Sequence, residues 1–160
     1  MSPRSTSFLA PILSLAVLAT AAGSAVAQQA VKPETLIKSR QSAFQLVAYN
    51  SGRIKANLEG QYNKDEVVRA ANTIAAIANS GLGSLFAAGT ETGKGWHDTG
   101  SKPELFKDLK KFAEYGGNFS RESTELAKVA LNGDAATVKE QYGKLTRTCK
   151  ACHDDFKTKD

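Results

Sequence analysis

Two cysteines and a histidine near the end of the chain, Cys149-Lys150-Ala151-Cys152-His153, carry its most specific chemistry. Thiols three residues apart share one face of a helix, so both can bond to vinyl groups along one edge of a porphyrin. The adjacent imidazole then reaches the iron as axial ligand. Cys-x-x-Cys-His is the attachment signal of c-type haem, so one covalent haem held by Cys149 and Cys152 and ligated by His153 is expected. The competing chemistry is a dithiol or disulfide with His153 facing solvent, since an exported protein permits one. A thioredoxin-like dithiol should follow a strand and open a helix, whereas this pair lies deep inside a helical pattern. A four-ligand zinc site is poorly supported: His97 is the only other histidine, and there are no further cysteines.

The second axial position is defined by what is missing. The only methionine is Met1, so no thioether completes a His/Met pair once the leader described below is removed. His97 sits in a glycine-rich loop, and a neutral lysine has no positive support. The expectation is high-spin, five-coordinate iron and a binding or carrier role, with no catalytic residues and no enzymatic activity.

Four amphipathic segments must position this motif. The first opens after Pro33 and places Ile37, Phe44, Val47, Ile54 and Leu58 on one stripe, with Arg40 and Ser51 on the same face, and it stops near Gly60. The second takes Asn63 as N-cap, with Asp65 and Glu66 in its first turn, and carries Val67, Ala71, Ile74, Ala78 and Leu85. It frays between Gly81 and Gly89, and a loop from Gly89 to Ser101 contains Trp96 and four glycines. The third is read as starting from Ser101, with Pro103 and Glu104 in its first turn and Leu105, Leu109, Phe112, Phe119 and Leu126 as its stripe. Gly116-Gly117 interrupts it and predicts a kink or a close approach. The fourth has Asp134 as N-cap and the stripe Val138, Tyr142, Leu145, Cys149, Cys152 and Phe156, which puts both cysteines on the buried seam. Four helices joined mostly by short turns predict an all-α, antiparallel up-down-up-down four-helix bundle around the haem.

The N-terminus reads differently. Arg4, an apolar run from Phe8 to Leu18 and the small residues Ala25-Val26-Ala27 read as a signal peptide over residues 1–27, leaving residues 28–160 as one cytochrome domain exported to the periplasm. The run is too short to span a bilayer, so no membrane association is expected after cleavage. The net charge of +5 at pH 7 falls to +4 without Arg4. That mild excess, without a Lys/Arg cluster interleaved with aromatics, gives no footprint for nucleic acid.

The C-terminal run Cys149-Lys150-Ala151-Cys152-His153-Asp154-Asp155-Phe156-Lys157 and the first-helix run Ile37-Lys38-Ser39-Arg40-Gln41-Ser42-Ala43-Phe44 resemble cytochrome c′, the class II c-type cytochromes. Trp96 also looks like an aromatic of the family's second connection, and the resemblance covers essentially residues 31 to 160. It implies Arg40 and Gln41 near the haem propionates, Phe44 over the distal face of the iron, and Lys157 beside the proximal histidine. It also implies a homodimer through the first two helices.

A bulky apolar group over the iron offers no hydrogen bond to bound dioxygen and leaves little room, which favours nitric oxide or a similar diatomic gas as ligand. The alternative function is one-electron transfer to a redox partner protein. There Lys144, Arg147, Lys150 and Lys157 would form a basic rim at the haem edge. A non-haem structural bundle remains only if the motif carries no haem.

Overall fold

The structure is a computed structural model that describes residues 31–159. The leader expected at residues 1–27, and its junction with the mature chain, lie outside the described residues. Four long helices, α1 (Pro33–Glu59), α2 (Lys64–Ala78), α4 (Leu109–Asn132) and α5 (Ala135–Phe156), form an all-α four-helix bundle. A 3-10 turn (Leu82–Leu85) and a one-turn helix α3 (Glu104–Lys107) lie in the connection between α2 and α4.

Local chemistry explains most of the helix ends. Pro33 opens α1 with its fixed φ, and the N–H of Gly60 closes it onto Ala56. Asn63 caps α2 by accepting from the N–H of Glu66 at 3.1 Å. Asp134 caps α5 by accepting from the N–H of Thr137 at 2.8 Å. Gly81, with φ of +85°, takes the left-handed conformation that ends the α2 region and starts the 3-10 turn, so Leu85 lies outside α2.

The third segment differs from expectation. Pro103 and Glu104 begin only the single turn of α3, and the long helix restarts from Asp108, whose carboxylate accepts from the N–H of Lys111 at 3.0 Å. Ser101 is engaged elsewhere, in an isolated bridge with Lys157. The N–H of Lys102 donates to Phe156 O at 2.9 Å and that of Thr158 to Gly100 O at 2.8 Å, so this stretch is paired with the end of α5. Gly116 and Gly117 do not interrupt α4, which runs through them, and a Cβ at either would meet nothing within 4 Å. Leu109, expected on the buried stripe, is exposed.

The core runs down the bundle axis through Ile54, Val67, Ile74, Leu126, Val138 and Leu145. Helix α1 packs on α2, α2 on α4, and α4 on α5. The fourth face is different: the backbones of α1 and α5 hardly approach one another. They are joined instead by Tyr142, whose hydroxyl donates to Ser51 O at 3.1 Å and lies 2.8 Å from Ser51 Oγ. The haem motif is thus on a helix standing clear of α1 along much of its length.

Candidate haem site

Cys149 and Cys152 are both half-buried and unbridged on the inner seam of α5. Burial pushes the Cys149 thiol up, and burial, with Cys149 and Asp155 nearby, pushes Cys152 up to about 11. Cys149 donates weakly to Leu145 O at 3.6 Å. Thiols raised in this way are the opposite of the acidic, thiolate-forming pair of a disulfide oxidoreductase. His153 is exposed by surface area, yet partial desolvation of its ring and the Lys157 ammonium hold it below its usual value, so the imidazole is neutral and its lone pair available at pH 7. Lys157 is four residues on, and its backbone N–H donates to His153 O at 3.1 Å.

Phe44 lies on α1 at the level of this motif. It is seven residues before Ser51, and Cys149 is seven after Tyr142. Because α1 and α5 run antiparallel, both stand about 10 Å from the Ser51–Tyr142 bond, at the same level. Phe44 is 39 % exposed, an unusual state for a large apolar side chain on an inner stripe. A string of rings continues from it: Phe86 at 6.3 Å, then Phe112 at 4.9 Å from Phe86, then Phe156 at 6.4 Å from Phe112. Each pair meets edge-on or tilted, so the string forms an apolar wall from α1 across to the residue four places beyond Cys152.

Arg40 is one turn before Phe44 and only 3 % exposed. Its guanidinium donates to Leu85 O at 3.3 Å, Thr90 Oγ1 at 2.8 Å and Thr90 O at 2.8 Å, and also to Thr99 Oγ1. It lies 4.8 Å from the Phe86 ring centroid. All these partners are neutral, and among the described residues no ion pair neutralises it. Burial lowers its pKa and the more distant Glu91 raises it. A buried cation without a counter-ion is costly, so a carboxylate supplied from outside the chain fits this position.

Gln41 is used fully by the loop. Its Nε2 donates to His97 O at 2.9 Å and its Oε1 accepts from the N–H of Trp96 at 2.7 Å. Trp96 Nε1 donates to Ser42 Oγ at 2.8 Å, and Lys38 lies 5.3 Å from its ring centroid. The loop is therefore docked on α1 beside Arg40, and His97 is exposed with its Nδ1 at Asp98 O. Phe86, Thr90 and Thr99 touch Phe44 or Arg40 but had no periodic signal or motif to mark them.

A sequence model of the family described as cytochrome c′ matches residues 35–157. The chain belongs to the cytochrome c′ family. The cytochrome c′ of Rhodocyclus tenuis is 64 % identical over 130 residues, covering 81 % of this chain and 98 % of that one. A solved cytochrome c′ with an unusual ligand-controlled dimer dissociation superposes with a TM-score of 0.78 at 41 % identity, covering 81 % of this chain and 99 % of that one. A mutant cytochrome c′ from Alcaligenes xylosoxidans, solved as its nitric oxide complex, superposes with a TM-score of 0.72 at 28 % identity, covering 82 % and 100 %.

The cofactor of a cytochrome c′ is a covalently bound c-type haem, and the two cysteines such attachment needs are present here. The residues fit it. The α1–α5 gap is walled by apolar rings and flanked by two protonated thiols, and a neutral imidazole stands next to the second. A buried guanidinium without a counter-ion stands one turn from Phe44. Among the described residues no helix is long and apolar enough to cross a membrane.

Proposed function

We propose that this chain is a periplasmic mono-haem cytochrome that binds nitric oxide or a similar diatomic gas, without catalysis. Cys149 and Cys152 hold the haem and His153 is its axial protein ligand. When bound, the haem supplies an iron with one axial position left for an exogenous ligand. The observation that carries the reading is the placing of Phe44, on α1, level with Cys149, on α5, across a gap that backbone packing leaves open.

Each residue then has a defined task. Phe44 would shield the distal face with a ring that can neither donate nor accept a strong hydrogen bond, so it discriminates by size and polarity. Arg40 would pair with a propionate and hold it against the docked loop. Gln41 serves the same end indirectly by fixing Trp96 and His97 on α1. Lys157 would set the charge around His153 on the proximal side. The solved nitric oxide complex of a relative supports the choice of gas.

A homodimer through α1 and α2 is the second part of the proposal. Leu46 and Tyr49 lie exposed on the outer face of α1, and a relative whose dimer dissociates under ligand control supports coupling between assembly and binding. The function is tested by titrating the reduced protein with nitric oxide under argon. One equivalent per chain should saturate the optical change; no change in the visible spectrum would refute the reading.

A further inference from the structure

The outer side of α5 presents a different surface from its haem-bearing seam. A groove of about 290 Å³ runs between α4 and α5, lined by Tyr115, Asn118, Arg121, Lys144, Arg147 and Ala151. Ala151 lies between the two cysteines, and Thr148, just before the first, also lines the groove. With 3.6 residues per turn, Arg147 and Ala151 share a face turned away from Cys149, and Thr148 lies at the edge between that face and Cys152.

Its charge is unbalanced. Arg121, Lys144 and Arg147 face a single lining carboxylate, Glu122, which is 3.2 Å from Arg121 and also accepts from Gln141 at 2.9 Å. Lys144 reaches Glu140 at 2.9 Å. Arg147 makes no hydrogen bond or ion pair among the described residues; Glu140 acts on it only at longer range, and its guanidinium lies over Gly143, one turn before it, 3.8 Å from where a Cβ there would stand. The basic rim expected at the haem edge is divided accordingly. Lys144 and Arg147 belong to the groove, whereas Lys150 is paired with Asp154 at 2.6 Å outside it.

We propose that this groove is the docking port for a one-electron carrier presenting a cluster of carboxylates, with the electron passing behind Ala151. The proposal rests on haem attachment at Cys149 and Cys152. One electron leaves the reduced haem and reduces the carrier; no bond forms or breaks and no proton moves. Complementary charge at such a surface acts mainly on the encounter rate and its salt dependence.

Two probes of opposite charge and one redox-inert anion test it on the holoprotein at low salt. Titrating the reduced, carbon monoxide-bound protein, which is diamagnetic, with hexacyanocobaltate(III) should shift the backbone amide resonances of Thr148 and Ala151, and Arg147→Glu should abolish those shifts. Oxidation of the reduced protein by hexacyanoferrate(III) should slow roughly tenfold in Arg147→Glu at low ionic strength and far less in physiological salt. Oxidation by the cation tris(phenanthroline)cobalt(III) should not slow, and the ratio of the two rates cancels any change in reduction potential. Lys64→Glu makes the same charge change at the opposite end of the bundle and should leave the ratio almost unaltered. Arg147→Gln, which only neutralises the charge, should give an intermediate ratio.

Equal effects of Arg147→Glu and Lys64→Glu would overturn the port, as would amide shifts without a rate effect. A purified protein lacking covalent haem would instead refute the attachment on which the proposal rests, so the two failures are distinguishable.

Discussion

The Tyr142 hydroxyl of α5 is bonded to both the Oγ and the carbonyl oxygen of Ser51 on α1, at 2.8 and 3.1 Å. These bonds join two helices that otherwise scarcely approach, and they mark the floor of the gap, with Phe44 and Cys149 at one level above it. Tyr142→Phe should therefore lower stability by about 1 kcal/mol, the usual net worth of such a bond. Urea unfolding measures it, and a double-mutant cycle with Ser51→Ala should show coupling between the two sites.

Arg40 should be intolerant even of lysine. Its planar fork satisfies acceptors on three separate residues, Leu85, Thr90 and Thr99, and a single ammonium cannot reproduce that geometry. Arg40→Lys and Arg40→Met should each cost about 2–4 kcal/mol in urea unfolding, because buried carbonyl and hydroxyl groups lose their donors.

Phe44→Ala should raise carbon monoxide affinity about tenfold or more, equivalent to about 1.4 kcal/mol, by opening the face that the ring shields. Laser photolysis and rebinding would measure it. Unchanged affinity would place Phe44 away from the binding face.

Two glycines should respond in opposite directions. A Cβ at Gly95 would collide with Gln41 Oε1 and come within 2.9 Å of Lys38 N, so Gly95→Ala should undock the loop and lower the melting temperature. A Cβ at Gly117 meets nothing within 4 Å inside a helix, so Gly117→Ala should stabilise by up to about 1 kcal/mol.

Much of this architecture was legible in the sequence because its signals are local. Asn63 and Asp134 cap the helices that follow them, Pro33 opens the first, and the period of the last helix brings both cysteines to the inner seam. The rest depends on contacts between distant segments without periodicity. Ser101 looked like a cap but pairs with Lys157, leaving Asp108 to start α4. Arg40 and Gln41 showed their type and place, while their partners Thr90, Thr99, Trp96 and His97 lie in a glycine-rich connection whose path is set by those very bonds. Gly116-Gly117 predicted an interruption from intrinsic propensity, which neighbouring turns and packing override.

Asp134 supplies a pH-dependent contribution. Hydrogen bonds from Thr137, first from its N–H and then from its hydroxyl, hold the carboxyl below its usual range. A lowered folded-state pKa means the contribution is complete above the unfolded value near 4 and is lost as pH falls through the depressed one. The gap in urea midpoint between the parent and Asp134→Ala should be full at pH 7 and narrow in acid. Asp134→Asn, which keeps the cap oxygen, should retain much of it at neutral pH.

The central claim is that Cys149, Cys152 and His153 hold one haem whose second axial position takes no protein ligand. Electron paramagnetic resonance of the oxidised, purified protein at pH 7 tests this most directly, since it reads the ligand field at the iron. A high-spin signal, absent when both cysteines are replaced by serine, is the predicted result. A wholly low-spin signal, which requires a second strong protein ligand, would contradict it.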